Sequence, residues 1–417
     1  MQVKGMNKMK KAQSKTRTDL TRRHFVKHGA GALVAAGCIA TLRPSQLSAE
    51  PHATPPPAAD SFICPPCGLE CDKLRFDKPG NCPQCGMTLI PADGAGIVKV
   101  AMFVYDGVEI IDIAGPWEVF GTAGFLVHTV AEKPDPLTLV FGQKIVPDFT
   151  FANAPKADVL LVPGGGYSRQ MKNDAVLNFI KTKANEAKYV MSVCTGAFLL
   201  GQAGLLAGQA ATCTYGMVED LANFPNTKVV YDARFVESGK IITTAGLTSG
   251  IDGALHLIAK LSGAGAAQSA ALNIEYNWNP EGRWTRNMMA DRFLPDGLAY
   301  AAPTLKGAKA TMISTQGDSS RWEAKILVSD PSKPESIISL LRERITSSSG
   351  QGGMNNRISH LRSGPTFVET GKPSEVRWKF TDDRGQAWSA LGVVAPAPEG
   401  KDKFILTLSL SASASTN

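Results

Sequence analysis

Tyr189-Val190-Met191-Ser192-Val193-Cys194-Thr195-Gly196-Ala197-Phe198-Leu199-Leu200 reads as a short apolar strand that breaks at a cysteine and turns at once into a helix. A thiol on such an elbow faces the cleft beyond the strand's carboxyl end. The helix's unpaired N–H groups and dipole favour its thiolate there. Cys194 is therefore the candidate nucleophile.

Working outward, apolar runs at 98–105, 127–131, 158–163, 189–193 and 240–243 are short enough for strands. The stretches 116–122, 173–187, 196–207 and 249–261 carry helical spacing. Strands alternating with helices predict an α/β domain: a mainly parallel sheet with helices on both faces, whose ligands bind at the strands' carboxyl ends. Two further segments converge on that edge. Leu161-Val162-Pro163-Gly164-Gly165-Gly166 is a strand running into a glycine loop, and the amides of Gly164, Gly165 and Gly166 could line an anion or oxyanion pocket. Ile111-Asp112-Ile113-Ala114-Gly115-Pro116 sets a carboxylate just ahead of a helix opened by Pro116. Taken singly, a buried cysteine, a glycine turn and a capping aspartate are ordinary; together on one sheet edge they describe a site.

Asp112-Ile113-Ala114-Gly115-Pro116, Pro163-Gly164-Gly165, Ser192-Val193-Cys194-Thr195-Gly196-Ala197, Gly250-Ile251-Asp252-Gly253-Ala254-Leu255-His256 and Ile274-Glu275-Tyr276-Asn277 stand in that order along residues 97–281. In this, the segment resembles the DJ-1/PfpI superfamily. The Asp-x-x-Gly-Pro form is similar to its isonitrile hydratase branch. The resemblance implies a flavodoxin-like sheet of the class I glutamine amidotransferase kind and often a homodimer. It also implies Cys194 as nucleophile, Asp112 as its proton-transferring partner, and Thr195 with the Gly165 region as the oxyanion or substrate pocket. One departure stands out: related sequences often carry Thr-Thr-His-Trp after the nucleophile helix, and this chain reads Thr212-Cys213-Thr214-Tyr215. Only His128 and His256 remain in the domain, and His256 lies on an apolar helix as a packed histidine would. A Cys-Asp site is favoured over a Cys-His hydrolase.

Eight cysteines occur in the chain, and five of them lie at positions 64–85: Cys64-Pro65-Pro66-Cys67-Gly68, Cys71, and Cys82-Pro83-Gln84-Cys85-Gly86. Two C-x-x-C-G turns place four sulfurs as a tetrahedral metal site requires, with glycine relieving each knuckle. Cys64, Cys67, Cys82 and Cys85 are the expected ligands of a small zinc-ribbon-like module, with zinc as the default ion and copper as another thiophilic candidate. Cys71 is left as a spare or exchange ligand. Disulfide pairing is the other reading, since a segment this small needs metal or cross-links to fold. The module resembles the heavy-metal-binding module attached to copper-efflux proteins, although Cys67-Gly68-Leu69-Glu70-Cys71 departs from its usual Cys-Pro-Met-His-Pro opening.

The formal charge of the 417-residue chain is +7, yet residues 1–50 hold ten Lys and Arg against Asp19 and Glu50, which leaves the remainder near neutrality. Charge gives nucleic-acid binding no support. Thr21-Arg22-Arg23-His24-Phe25-Val26-Lys27 followed by an Ala/Gly-rich apolar stretch has the layout of a twin-arginine export signal, with cleavage expected after Ala49. A periplasmic location follows as an expectation, with lipidation at Cys38 as the alternative. No other segment offers the apolar length of a membrane span.

The chain thus divides into a signal peptide (1–49), a Pro-rich linker (50–60), a four-cysteine metal-binding module (61–92), the α/β domain (97–281) and a C-terminal α+β unit (285–417). That last unit reads as a hairpin, a helix at 334–346, a Ser/Gly-rich loop at 347–353 and four further strands, without a catalytic motif. The expected function is an exported cysteine enzyme, similar to isonitrile hydratases, that adds water to a small electrophilic molecule. The alternative is a non-enzymatic metal-handling or redox-sensing protein.

Overall fold

Runs of four to six residues dominated by Val, Leu, Ile and Met are too short for stable helices, and they become the central strands of the protein. The computed structural model describes residues 61–65, 69–87, 89–92, 96–280, 282, 284–294, 309–329, 333–348, 361–382, 384–398, 400 and 402–413. The signal, linker and Cys38 readings, and Cys67, lie outside the described residues.

The central strands are β1 (Lys99–Phe103), β2 (Leu126–Ala131), β3 (Phe149–Thr150), β4 (Val159–Val162), β5 (Tyr189–Ser192), β6 (Phe235–Ser238) and β7 (Ile241–Thr244). They form one sheet in the order β6-β7-β5-β4-β1-β2-β3, parallel throughout except for the antiparallel β6–β7 hairpin. Every residue of β4 and β7 is buried, which is how a strand covered on both faces reads. The helices fall into two groups, one for each face. Helix α1 (Ile110–Thr122) packs on α4 (Ser249–Ser262) and α5 (Ala264–Asn273), while α2 (Asp174–Glu186) packs on α3 (Gly196–Gln202).

Two helix boundaries depart from the sequence reading. Helix α1 starts at Ile110, with Glu109 at the N-cap position but making no side-chain cap, so Asp112 sits inside its first turn and Pro116 lies within the helix instead of opening it. Proline deletes a single backbone bond there, and Gly115 beside it allows close approach to α4, with Ile251 only 3.0 Å from where a Cβ would stand. Helix α3 ends at Gln202, because Gly204 at φ +77° and Gly208 at φ +76° turn the chain away. Helix α5 was not anticipated. Its Ala/Gly-rich sequence lacks the apolar contrast that marks an amphipathic helix.

The Cys-rich module has its own three-stranded antiparallel sheet, with Phe62–Ile63 between Arg75–Phe76 and Ile90–Pro91. Its core is three cysteines and Leu89, flanked by Phe62, Phe76 and Met87. At the other end, β8 (Lys309–Gly317), β9 (Arg321–Ser329), α6 (Pro334–Ser348), β10 (Leu361–Val368), β11 (Glu375–Asp382), β12 (Ala387–Pro396) and β13 (Lys403–Ala412) form a six-stranded antiparallel sheet with one helix. The strand order is β8-β9-β13-β12-β11-β10, with α6 packed against β11 and β12. Period-two burial along β11, β12 and β13 gives one inward face, including Trp378, Trp388 and Leu408. Ser347 and Ser348 extend the helix where a loop was expected, and 349–360 fall outside the described residues.

Candidate active site

The carboxyl ends of β1, β4, β5 and β7 bring four stretches of sequence to one corner. Cys194 follows β5 in the left-handed region at φ 55°, and it is 9% exposed. A cysteine at positive φ is strained by about 1 kcal/mol. The strain is offset by a bond from its own amide to Ala245 O at 3.2 Å and by Cys213 Sγ donating to its carbonyl at 3.1 Å. The elbow also needs Gly196, since a Cβ there would lie 2.1 Å from Val162 O.

Asp112 is fully buried. Its Oδ2 accepts the Gly164 amide at 2.9 Å, whereas Oδ1 closes no hydrogen bond. Burial is the main reason its carboxyl is raised to about 7, and the Glu109 charge adds to it. The Gly164 amide, and weaker pulls from the Leu247 amide and the Cys194 thiol, act in the opposite direction. The Cys194 thiol is itself pushed up to about 12, by burial first and the Asp112 charge second, against the Thr214 hydroxyl and the Thr195 amide and hydroxyl. The thiolate expected from the helix dipole is thus not the resting form. Burial outweighs the field of a seven-residue helix. Tyr105, beside the same pair, donates its hydroxyl to Pro163 O at 3.2 Å, and its phenol is pushed well up by burial first and by the neighbouring Asp112 second.

The glycine loop is closer to a scaffold than to an open anion pocket. The Gly164 amide goes to Asp112, the Gly165 amide to Thr195 Oγ1 at 3.1 Å, and the Gly166 amide to Gly107 O at 2.8 Å. A Cβ on Gly164 would lie 2.7 Å from both Thr195 N and Thr195 Oγ1, and one on Gly165 would lie 2.2 Å from Gly107 O. These glycines let three segments touch, and their donors are already engaged. Thr195 is buried beside Cys194.

Neither histidine reaches this corner. His128 sits in β2, edge-on to Phe149, and His256 pairs with Glu237 at 2.7 Å on a half-buried rim that also holds Lys260. The Asp252 and Tyr276 motifs are structural: Asp252 Oδ2 accepts Arg234 Nε at 2.6 Å and the Tyr276 hydroxyl at 3.0 Å, and Arg234 O in turn receives the Ala245 amide. Sequence reading missed Tyr105, Cys213, Thr214 and Leu247. Tyr105 alone carried a signal, standing two residues beyond the end of β1.

In the Cys-rich module the sulfurs of Cys64, Cys71, Cys82 and Cys85 all lie within 4.8 Å of one another. Cys71, read as a spare or exchange ligand, stands in the cluster, fully buried on the turn Glu70–Lys73. Gly86 at φ +79° lets its amide reach Cys82 O at 2.8 Å, closing the knuckle around Cys82 and Cys85. Cys64 and Cys85 sulfurs approach to 3.2 Å. The Met87 amide and the neighbouring thiols bring Cys85 down to about 7. The six described cysteines form no disulfide with one another. Four converging sulfurs at this spacing fit a tetrahedral thiophilic ion such as zinc, whose bonds to sulfur are about 2.3 Å.

The DJ-1/PfpI family model matches residues 98–260. Isonitrile hydratase of Pseudomonas putida is 38% identical over 181 residues, 43% of this chain and 78% of that protein. The chain belongs to the DJ-1/PfpI family. The family match spans β1 through most of α4 and contains Asp112, Gly164, Cys194 and Thr195. A deglycase of Pyrococcus horikoshii is 26% identical over 148 residues, 34% of this chain and 89% of that protein. Among solved structures, a ThiJ/PfpI family protein from Pseudomonas syringae has 34% identity and a TM-score of 0.43, covering 48% of this chain and 86% of that one. The heavy metal binding domain model matches residues 62–92, the segment holding the four clustered sulfurs. Among the described residues, the candidate site within the family match holds a cysteine and an aspartate and no histidine, in a family with enzymes among its relatives.

Proposed function

We propose that this protein is a cysteine-dependent hydratase of small electrophiles, with isonitriles as the first substrate class. The observation that carries the reading is the buried Cys194–Asp112 pair: a protonated thiol beside a carboxyl raised to about 7. In such a pair the carboxylate form of Asp112, present as pH rises through about 7, is the base placed to take the thiol proton as sulfur attacks, without any histidine. Moving the thiol proton to Asp112 also removes the negative charge that opposes the thiolate.

For an isonitrile R–N≡C, sulfur adds to the terminal carbon as Asp112 passes the proton to that same carbon, giving the thioimidate R–N=CH–S–Cys. Water then adds to this carbon, its proton going to nitrogen, and the C–S bond breaks to release R–NH–CHO and the thiol. Atoms balance as R–N≡C plus H2O. With Cys194 only 9% exposed, a slim, linear terminal carbon suits the approach better than a branched carbonyl does. The similarity to isonitrile hydratase at 38% identity supports the same reading.

Location is part of the proposal. The Arg22-Arg23 segment and the basic excess of residues 1–50 support export by the twin-arginine route, to be tested by whether the segment carries a folded reporter to the periplasm. Among the described residues no helix is long and apolar enough to cross a membrane.

The test is formamide formation from a panel of small isonitriles, with Cys194→Ala as control. Turnover lost in the variant supports the hydratase; equal rates in both would overturn it for that panel. The four-sulfur cluster favours a second reading, metal handling. In that case metal-loaded protein should act normally in Cys194→Ala and fail in Cys64→Ser.

A further inference from the structure

Residues 285–294 lie beyond the family match, yet Thr285, Asn287, Asp291 and Arg292 are buried there. A stretch this polar is rarely buried without making specific contacts. Asn287 Nδ2 donates to Cys213 O at 3.3 Å. Next to it, the Arg286 guanidinium lies 4.2 Å from the ring of Tyr215 and 5.8 Å from the ring of Trp322 on β9. Arg286 is also paired bidentately with the buried Asp291, at 2.7 Å through Nη1 and more closely through Nη2. A planar guanidinium held through both terminal nitrogens and lying close to two rings is restrained in its orientation.

What these residues grip is the back of the nucleophile. Cys213 donates its thiol to Cys194 O at 3.1 Å, bracing the positive-φ elbow, and the Thr214 hydroxyl acts on the Cys194 sulfur. Thr214 is wedged from the other side, since a Cβ on Gly246 would lie 2.3 Å from its Oγ1. Residues 213–215 therefore stand between the elbow and the segment leading into the C-terminal sheet.

We propose that Arg286 and Asn287 are positioning residues of the Cys194 site, clamping residues 213–215 against the nucleophile elbow and so making the C-terminal unit a working part of that site. The inference rests on Cys194 being the reacting group but not on the isonitrile substrate. The clamp acts on the elbow's geometry, so its signature is altered thiol chemistry and not merely lower stability.

The experiment is alkylation of Cys194 by iodoacetamide across pH in the full mature chain, which needs no isonitrile. The groups facing or coupled to the thiol are Asp112, Tyr105, Tyr167, Thr195, Cys213 and Thr214. Asn287→Asp keeps the size of the side chain and removes the donor to Cys213 O. Arg286→Lys keeps the charge facing Asp291 and removes the planar stack. Expected is at least about a fivefold change in alkylation rate and a displaced pH profile for Asn287→Asp, an intermediate effect for Arg286→Lys, and none for Lys379→Ala on the exposed face of β11. Should Asn287→Asp fail to fold, Arg286→Ala, partly exposed at the same clamp, supplies the readout alongside Arg286→Lys. Wild-type rates and profiles in the folded Arg286 and Asn287 variants, whatever their melting temperatures, would overturn the proposal. Loss of isonitrile turnover throughout with a changed alkylation profile would overturn the substrate reading alone.

Discussion

The Gly164 amide donates to Asp112 Oδ2 at 2.9 Å, and the α-carbon of the same glycine faces Thr195 so closely that a Cβ would stand 2.7 Å from its hydroxyl oxygen. One residue without a side chain thus lets the carboxylate and the nucleophile loop meet. Gly164→Ala should separate them. The expected outcome is at least a tenfold fall in kcat/KM, with a stability loss of about 1–3 kcal/mol from overpacking. Steady-state kinetics and thermal melting measure the two effects.

Activity should follow the ionisation of Asp112. With its carboxyl raised to about 7 and Cys194 pushed up to about 12, the base form of Asp112 appears as pH rises through about 7, while the thiol keeps its proton to transfer. A kcat/KM profile that climbs through pH 7 and stays level to pH 9 is expected; a profile flat from pH 5 to 9 would remove Asp112 from that role.

The same carboxyl links stability to pH with the opposite sense. Because its folded pKa lies above that of an ordinary carboxylate, folding favours the protonated form. The stability is fully present below about pH 4 and is lost as pH rises through about 7, on the order of 4 kcal/mol. Asp112→Asn removes the charge and leaves an oxygen for the Gly164 amide. It should be inactive, yet at pH 8 more resistant to denaturant than the wild type.

Cys194 at φ 55° makes a further contrast. Cys194→Gly and Cys194→Ala both delete the thiol, but only glycine adopts the left-handed region freely. The glycine variant should be the more stable of the two by about 1 kcal/mol, read from denaturant midpoints.

In the Cys-rich module, Cys71 stands with Cys64, Cys82 and Cys85. Cys71→Ser should weaken zinc retention by at least about tenfold against a competing chelator, as Cys64→Ser does. Unchanged retention would show that Cys71 is not a ligand. Metal removal should leave the central sheet folded, since that sheet has its own core.

How much of this was legible follows from the range of the interactions. The order of strands and helices could be read because their apolar periodicity is local. Cys194 and Gly164 could be singled out because each stands just past a strand end, where α/β sheets place their ligands, and Asp112 because it follows the first strand at the same edge of the sheet. The start of α1 was misplaced, because a proline announces a helix opening locally, whereas packing of Gly115 on Ile251 carries the helix past it. The free-amide reading of the glycine loop was wrong for a related reason. Where an amide points depends on what comes to face it, and Asp112, Thr195 and Gly107 come from distant segments.

By itself, then, the sequence determined the alternation of elements, the strand-to-helix elbow at Cys194 and the cysteine-rich character of residues 64–85. Only the tertiary structure decided the resting protonation of the Cys194–Asp112 pair, the inclusion of Cys71 in the sulfur cluster and the contact of Asn287 with Cys213. The physical reason is that periodicity and turn chemistry act between neighbours along the chain. Burial, close approach and charge coupling act between residues that become neighbours only on folding.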